Sequence, residues 1–200
     1  MPNKYLRELI ILCASLLLTA CAETPAPNFY LLESQSPPIV ATTNAEKKQM
    51  IGLGPLTLPA LLDRQQIVTR SENNGIQLAE FHQWAAPLKG NVIDVLSKNL
   101  EARQANSIVI GYPWSAYGDM DYRIIIDISR FDSQLGKSAN LEANWAIMEE
   151  KKHTIVSNGR TNLKQALNDM SYQSAVLAQE KLLNMFSQQL SLALHQLPKQ

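Results

Sequence analysis

The sequence has very few cysteines. Among 200 residues only Cys13 and Cys21 occur, and Cys13 lies within a short apolar segment near the N-terminus. If that segment is removed on export, Cys21 is the one thiol left and no intramolecular disulfide can form. The stability of the folded protein must then come from a hydrophobic core, even in an oxidising compartment.

An excess of charge of either sign is also missing. The chain has 18 basic and 18 acidic residues, and without residues 1–20 the remaining 180 residues carry 16 and 17. A nearly neutral chain without a basic block argues against nucleic acid as a partner. A length of 180 residues suits one domain with a sizeable core.

Long apolar runs are absent as well. The longest, Leu9 to Leu18, has ten residues and is too short to span a bilayer core of about 30 Å as a helix. It follows Lys4 and Arg7, as in a signal peptide. The next residues, Leu18-Thr19-Ala20-Cys21, resemble a bacterial lipobox. The alternatives are an ordinary secretion signal, or a membrane anchor with a chance cysteine.

The lipobox interpretation predicts a chain cut before Cys21, which then carries a covalent N-acyl diacylglycerol group. It divides the chain into a signal peptide (1–20), the lipidated cysteine with a flexible Pro/Ser-rich tether (21–49) and a single domain (50–200). Within the tether, 29–32 could be a short edge strand. Because Ala22 is not the aspartate linked with inner-membrane retention, the resemblance points to the periplasmic face of the outer membrane.

Catalytic and metal-binding motifs are not found. The sequence has no Gly-x-Ser-x-Gly, no His-Glu-x-x-His and no phosphate-binding glycine loop. Its histidines, His82, His153 and His195, have no nearby cluster of metal ligands. His82 is expected to pack at a strand end, and His195 to lie in the last turn of a helix. We therefore expect no enzyme activity, no metal and no cofactor.

Regular alternation of apolar residues predicts long strands. Apolar side chains occupy the even positions of 122–129 and the odd positions of 139–147, which places Trp145 in the core. Shorter strands are predicted at 51–58, 66–70, 76–81, 107–112 and 153–159, with Asn73-Asn74-Gly75 as a hairpin turn.

Apolar residues at helical spacing predict two amphipathic helices, from Leu88 to Leu100 and from Tyr172 to Leu197. Two helices can cover only one face of the sheet. The predicted fold class is therefore α+β, a two-layer sandwich of a largely antiparallel mixed sheet with both helices on one face. The other sheet face is expected to be polar, and either solvated or covered by a neighbouring subunit.

Two groups of residues are candidates for partner binding. Asp63 and Arg64 lie in a predicted loop, where an internal ion pair that fixes the turn is the alternative. Tyr112, Trp114 and Tyr117 form the second group, because aromatic residues are enriched in interface cores and Pro113 must interrupt the strand. Core packing accounts equally well for Trp114.

Several phrases of the sequence carry a resemblance to a known family. They are Ile51–Pro55, Leu58–Arg70, Ala79–Leu88, Tyr112–Trp114, Asp121–Tyr122 and Arg130–Asp132. Their order and spacing resemble the ABC-type transport auxiliary lipoproteins, from about Tyr30 to the last helix. One departure is Gln65, where the family often has proline, which should make the Asp63-Arg64 turn less rigid.

The resemblance implies a non-catalytic accessory of a lipid transport machine, with a fold of the TolB N-terminal type. Its implied partner is a periplasmic MCE-domain tunnel protein, and a ring-shaped conduit favours a cyclic homo-oligomer as its cap. No catalytic set is carried over. The rival interpretations are a periplasmic lipid-binding carrier module, which needs an apolar cavity, and an envelope enzyme.

Overall fold

The computed structural model describes residues 3–4, 7–8, 25–36, 48–73, 75–104 and 106–197. Most of the predicted signal peptide, the lipidation residue Cys21 and the turn residue Asn74 lie outside these ranges. Within them, no helix has the length and apolarity needed to cross a membrane.

From residue 25 on, the described residues form eight strands, two α-helices and one short 3₁₀ turn at Ser115–Tyr117. The strands are β1 (Asn28–Tyr30), β2 (Gln49–Thr57), β3 (Gln66–Arg70), β4 (Ile76–Trp84), β5 (Ser107–Gly111), β6 (Tyr122–Gln134), β7 (Ser138–Glu149) and β8 (Thr154–Ala166). The helices are α1 (Leu88–Glu101) and α2 (Tyr172–His195).

Strand β6 organises the sheet. One side of β6 pairs along nearly its whole length with β7, which in turn pairs with β8. On its other side, the first half of β6 pairs with β2, and Ser133 near its end pairs with Thr69 of β3. Strand β5 extends the β2 branch, while β4 and β1 extend the β3 branch. Within the part of the chain described, β5 and β8 are thus opposite edges of the sheet.

The sheet is mixed, as predicted. Four of its seven pairings are parallel, but the long ladders β6–β7 and β7–β8 are antiparallel. The hairpin predicted around Gly75 is confirmed, because β3 and β4 pair antiparallel and the Ser71 amide donates to the Gly75 carbonyl.

Both helices lie on one face of this sheet. Helix α1 packs on β2 and β5, α2 packs on β6, β7 and β8, and the helices also pack on each other. The even-numbered residues from Tyr122 to Ile128 point into the resulting core and are buried. Trp145 is half-buried against the same core. The predicted α+β sandwich with two helices on one face is confirmed.

Strand β6 is longer than its alternation predicts. The register with β7 shifts between Ile128 and Arg130, and the strand continues to Gln134. A bulge of this kind adds one residue, so the inward-facing positions change from even to odd. Phe131 is buried for this reason, and the alternation that defines the strand in the sequence stops at Ser129.

The prediction of a flexible tether is wrong for residues 28–36, which we call the strap. Strand β1 joins the sheet beside β4, and Leu32 is only 2% exposed within the hydrophobic core. The segment predicted as flexible over 21–49 is therefore bound to the body from 28 to 36. The apolar side chain of Leu32 and the hydrogen bonds described below account for this binding.

Candidate functional site

An exposed group of aromatic residues follows strand β5. We call Tyr112, Pro113, Trp114 and Tyr117 the aromatic surface. Tyr112 is 52% exposed and Tyr117 is 63% exposed, whereas Trp114 is half-buried. The rings of Tyr112 and Trp114 meet edge to face, with 5.3 Å between centroids. The structure therefore brings together the three aromatic residues predicted from the sequence.

Two glycines of β2 let this surface approach the sheet. A Cβ on Gly52 would lie 3.2 Å from the Trp114 ring, so the indole packs directly on the strand backbone. At Gly54, φ is +131°, and a Cβ there would lie 2.6 Å from the Cβ of Tyr112. Only glycine adopts this conformation readily. These two positions therefore determine where the aromatic surface sits.

Trp114 also contacts Arg123 on the neighbouring strand β6, where Arg123 pairs with Gly52 of β2. The guanidinium of Arg123 lies 5.8 Å from the centre of its ring, which is the geometry of a cation–π contact. Arg123 in turn donates from a terminal nitrogen to Glu150 Oε2 at 2.7 Å. Trp114 therefore serves as the packed base of the surface, and Tyr112 and Tyr117 are its accessible part.

A cleft continues the aromatic surface between β5 and the first turns of α1. Its walls are mostly apolar, and they include the outer edge of β5. Among the described residues, Asp94 of α1 is the only charged residue that lines it. An unpaired strand edge beside apolar side chains is a common place for an extended segment of a partner to bind. The apolar lining residues are Met50, Ile93, Ile108, Val109, Ile110, Tyr112, Pro113 and Tyr117.

Asp63 and Arg64 line a different cleft. It is formed with residues 84–88, at the end of β4 and the start of α1. Asp63 is exposed, and Arg64 is half-buried. Among the described residues no ion pair joins the two side chains, and the Arg64 Nε is buried without a hydrogen-bond partner. The internal ion pair considered as the alternative for this loop is not found within the described part of the chain.

Two of the three histidines, His82 and His195, take part in packing contacts, whereas His153 is exposed. The Nδ1 of His82 lies 2.8 Å from the Tyr30 hydroxyl, and its ring stacks on Tyr172 with 4.0 Å between centroids. Burial, with a smaller contribution from Tyr172, raises the pKa of the Tyr30 phenol. His195 Nδ1 lies 2.7 Å from the Ser191 carbonyl, within the last turns of α2. In the described residues, no group of three or more His, Cys, Asp or Glu side chains is placed to hold a metal ion.

The strap is bound by a network that the sequence did not reveal. The side-chain amide of Asn91 accepts from the Leu32 amide at 2.7 Å and donates to the Leu32 carbonyl at 2.9 Å. The buried side chain of Asn91 thus makes with Leu32 the two backbone hydrogen bonds that a neighbouring strand would make in a sheet. Asn91 occurs within a helix that the sequence identifies by its apolar positions, and nothing in that pattern links it to residue 32.

The end of the strap lies over the junction of the two helices. The hydroxyls of Ser34 and Ser36 donate to Asn99 Oδ1 of α1 at 2.6 and 3.1 Å. Arg103 donates to the Ser36 hydroxyl at 2.7 Å and to Asn184 Oδ1 of α2, also at 2.7 Å. These contacts connect the strap to both helices.

A buried carboxylate completes the network. Glu180 of α2 accepts from the backbone amide of Glu33 at 3.0 Å and is 7% exposed. Burial raises the pKa of the Glu180 carboxyl, and the nearby Glu33 charge adds to the rise, while the bonds from the Glu33 amide and the Gln35 side chain oppose it. The strap therefore contacts a carboxyl group whose pKa is raised.

A row of alternating charges crosses the sheet away from these sites. Arg70 and Arg130 both bond Asp132 of β6, at 2.5 and 3.0 Å, and Asp132 is buried. Arg130 and Arg160 lie 3.6 and 3.8 Å from the two carboxylate oxygens of Glu142. The charges in this row are largely satisfied within the protein.

Comparison with known proteins gives both a family and a fold. The family model for the ABC-type transport auxiliary lipoprotein component matches residues 30–191, a range that begins within the strap. No curated protein sequence matches the chain.

Solved structures support the same fold. The crystal structure of an uncharacterized protein superposes with a TM-score of 0.71 at 13% identity, covering 85% of this chain and 99% of that one. Protein XCC0632 from Xanthomonas campestris has a TM-score of 0.64 at 16% identity, with 82% and 92% covered. TolB from Acinetobacter baumannii matches at a TM-score of 0.38 and 12% identity, with 83% and 30% covered, which is too distant to carry an argument.

Proposed function

Because the chain belongs to the ABC-type transport auxiliary lipoprotein component family, we propose that it is a membrane-anchored, non-catalytic accessory of an MCE-type intermembrane lipid transport system. Within the family the sequence resembles paraquat-inducible protein C. The proposed partner is accordingly a periplasmic MCE-domain tunnel protein (PqiB-like), which the domain docks at the outer membrane.

The anchor of this proposal is Cys21, which lies outside the described residues. Acylation there would hold the domain at the periplasmic face of the outer membrane. One acyl chain gives only reversible binding, whereas the two or three chains expected on a lipoprotein cysteine make attachment durable. Fixing the domain at the membrane raises its effective concentration for a partner that reaches the same membrane.

The aromatic surface is the observation that carries the docking proposal. Tyr112 and Tyr117 are more than half exposed beside an apolar cleft and an unpaired strand edge. Tyrosine and tryptophan dominate the energetics of interface cores, and a packed Trp114 gives the surface a rigid base. The charged row around Asp132 is a weaker candidate, because its carboxylates already bind arginines.

A cyclic homo-oligomer is part of the proposal. The sheet face on which no described helix packs is available for head-to-tail contact between copies, and this leaves the β5 edge to the MCE-domain partner. Such heterologous contacts form a closed ring when the rotation between copies closes. A ring would present several aromatic surfaces together to a ring-shaped conduit.

The carrier alternative has less support. A carrier needs an apolar cavity of several hundred cubic ångströms for the lipid. In the described residues the space between sheet and helices is occupied by one continuous core, and two large clefts lie along α1. We therefore favour docking over carriage.

A site-specific crosslinking experiment tests the docking proposal. A photo-crosslinking amino acid at Tyr117 should form an adduct with the MCE-domain protein in intact cells. The matched control is Ile155 on β8, which is 58% exposed. No adduct with an MCE-domain protein at Tyr117, or equal adducts at both positions, would count against the aromatic surface as the docking site.

A further inference from the structure

The strap limits how far the body can lie from a lipid anchor. If the chain were free from Cys21 to Gln49, its contour could extend roughly 100 Å at 3.6 Å per residue. The strap enters the sheet at Asn28, only seven residues after Cys21. Seven residues reach about 25 Å at most. The edge of the domain that contains the strap must then stay close to the membrane.

The first part of the strap has apolar side chains facing outward, whereas the later residues Glu33 and Gln35 are exposed and polar. Phe29 is 62% exposed and Leu31 is 46% exposed, while Tyr30 is half-buried against His82 and Leu32 enters the core. In extended chain alternate residues point the same way, so Phe29 and Leu31 form one outward pair. Phe29 and Leu31 follow Cys21 by eight and ten residues, which is at most about 29 and 36 Å of chain. Both exposed apolar side chains therefore lie within reach of a lipid surface that holds an acylated Cys21.

The strap is also rigidly attached. Leu32 is held at both its backbone amide and its carbonyl by Asn91, and the Glu33 amide is held by Glu180. Phe29 lies in the part paired with β4. The outward pair is therefore displayed in a fixed orientation with respect to the helices and to the aromatic surface.

We propose that Phe29 and Leu31 insert into the interfacial region of the lipid bilayer next to the Cys21 anchor, and that the strap thereby fixes the orientation of the body on the membrane. This inference rests on the acylation of Cys21 in the proposed function. Its consequence is positional: the strap edge faces the lipid, and the cleft on the β5 side of α1 is left for protein.

Spin labelling of the acylated full-length protein tests the inference. Acylation blocks Cys21, so a cysteine introduced at Phe29, Leu31 or Ile155 is the one free thiol of the processed chain. Each variant is reconstituted in vesicles of phosphatidylethanolamine and phosphatidylglycerol. The label's accessibility to lipid-soluble oxygen is compared with its accessibility to a water-soluble nickel chelate.

We expect the ratio of oxygen to nickel accessibility to rise several-fold at positions 29 and 31 on reconstitution and to stay unchanged at 155. Equal ratios at all three positions would overturn the inference. Shielding from both reagents that depends on a second copy or on an added MCE-domain protein would also overturn it, because the occupant would then be protein.

A double variant, Phe29→Ser with Leu31→Ser, gives a second readout. Both side chains are exposed, so the midpoint of unfolding should remain unchanged. Energy transfer from a dye at position 155 to a dye in the membrane should show a broader range of distances than in the unaltered chain. An unchanged range would contradict an orienting role.

The mass of the processed chain checks acylation separately: a chain without acyl groups contradicts the proposed function, whereas an acylated chain with water-exposed labels contradicts this inference alone.

Discussion

The two sides of helix α1 are built differently. On one side the strap lies along the helix, and polar side chains of the helix, such as Asn91 and Asn99, form hydrogen bonds with the strap. On the other side, β5 and the aromatic surface leave apolar side chains exposed around a cleft. One helix therefore has a closed side, which the strap binds although a cleft remains between them, and an open side, where no described segment covers the cleft.

The difference shows how each side gains its specificity. Hydrogen bonds to backbone groups are directional, and a buried group left without its partner costs about 1–3 kcal/mol, so the strap has one favoured position. The aromatic surface is set by close packing of Trp114 and Tyr112 on glycines, which leaves the outer faces of the tyrosines available. The comparison predicts that substitutions in the strap network mainly lower the stability of the fold, whereas substitutions of the exposed tyrosines mainly weaken partner binding.

The largest loss in the free energy of unfolding should come from a substitution at Gly54, which lies beneath the aromatic surface on the open side. Gly54→Ala introduces a side chain at φ +131° and places its Cβ 2.6 Å from Tyr112. Backbone strain of about 1–3 kcal/mol and overpacking of a similar size should add, for a loss of roughly 2–6 kcal/mol in the free energy of unfolding. Chemical denaturation measures this loss.

Gly118→Ala is the matched control. Its φ is also positive, at +85°, but a Cβ there would meet nothing within 4 Å. It should show the strain without the overpacking and so lose clearly less stability. Equal losses in both variants would mean that the contact with Tyr112 does not hold the aromatic surface in place.

The closed side should depend most on Asn91. Asn91→Ala leaves the Leu32 amide and carbonyl without their partner, which should lower the free energy of unfolding by about 2–4 kcal/mol. Hydrogen exchange at the Leu32 amide should quicken more than exchange in β6. Asn99→Ala is the comparison, because it removes an acceptor for two serine hydroxyls rather than for backbone. A strap that stays protected in Asn91→Ala would contradict the role given to this residue.

The exposed tyrosine of the open side should affect binding alone. Tyr117→Ala removes a side chain that is 63% exposed, so the free energy of unfolding should change by no more than about 0.5 kcal/mol. If Tyr117 is an interface anchor, the Kd for the MCE-domain partner should rise about 30-fold, equivalent to roughly 2 kcal/mol. Ile155→Ala should change neither quantity. Chemical denaturation of both variants measures the free energy of unfolding, and titration calorimetry measures the Kd. An unchanged Kd for Tyr117→Ala would remove the contrast between the two sides.

Much of the fold follows from periodicity in the sequence. The helices at 88–101 and 172–195 were predictable because their apolar residues recur at helical spacing, and the first part of β6 because its apolar residues alternate. The continuation of β6 beyond Ser129 was not predictable. A bulge changes the phase of the alternation, and its position depends on the pairing with β7.

The sites divide in a similar way. The aromatic surface was accessible to prediction because the residue types and Pro113 mark it locally. The strap was predicted only in part, because the short edge strand suggested over 29–32 is found as β1. Its attachment beyond β1 was not predictable, since it depends on single polar contacts between residues far apart in the chain, such as Leu32 with Asn91. Proline and serine in the segment 21–49 suggested a free tether, yet Leu32 and β1 bind 28–36 to the body.

The smallest expected effect concerns pH and the closed side. Burial and the Glu33 charge raise the pKa of the Glu180 carboxyl above its ordinary 4.5. A raised pKa means that the folded protein holds this proton more tightly than the unfolded chain does. The associated stability is present below pH 4.5 and is lost as the pH rises through the raised pKa.

Glu180→Gln removes this titration and keeps an oxygen that can accept from the Glu33 amide. Relative to the unaltered protein, the variant should therefore gain stability as the pH is raised from 4 to 7. Glu33→Gln should shrink the same difference, because it removes the like charge that adds to the rise. Both substitutions should change how firmly the strap is held and should leave the exposed face of Tyr117 unaffected. Hydrogen exchange at the backbone amide of residue 33, measured across this pH range, tests the prediction. A difference between variant and parent that is constant with pH would show that the Glu180 carboxyl does not control how firmly the strap is held.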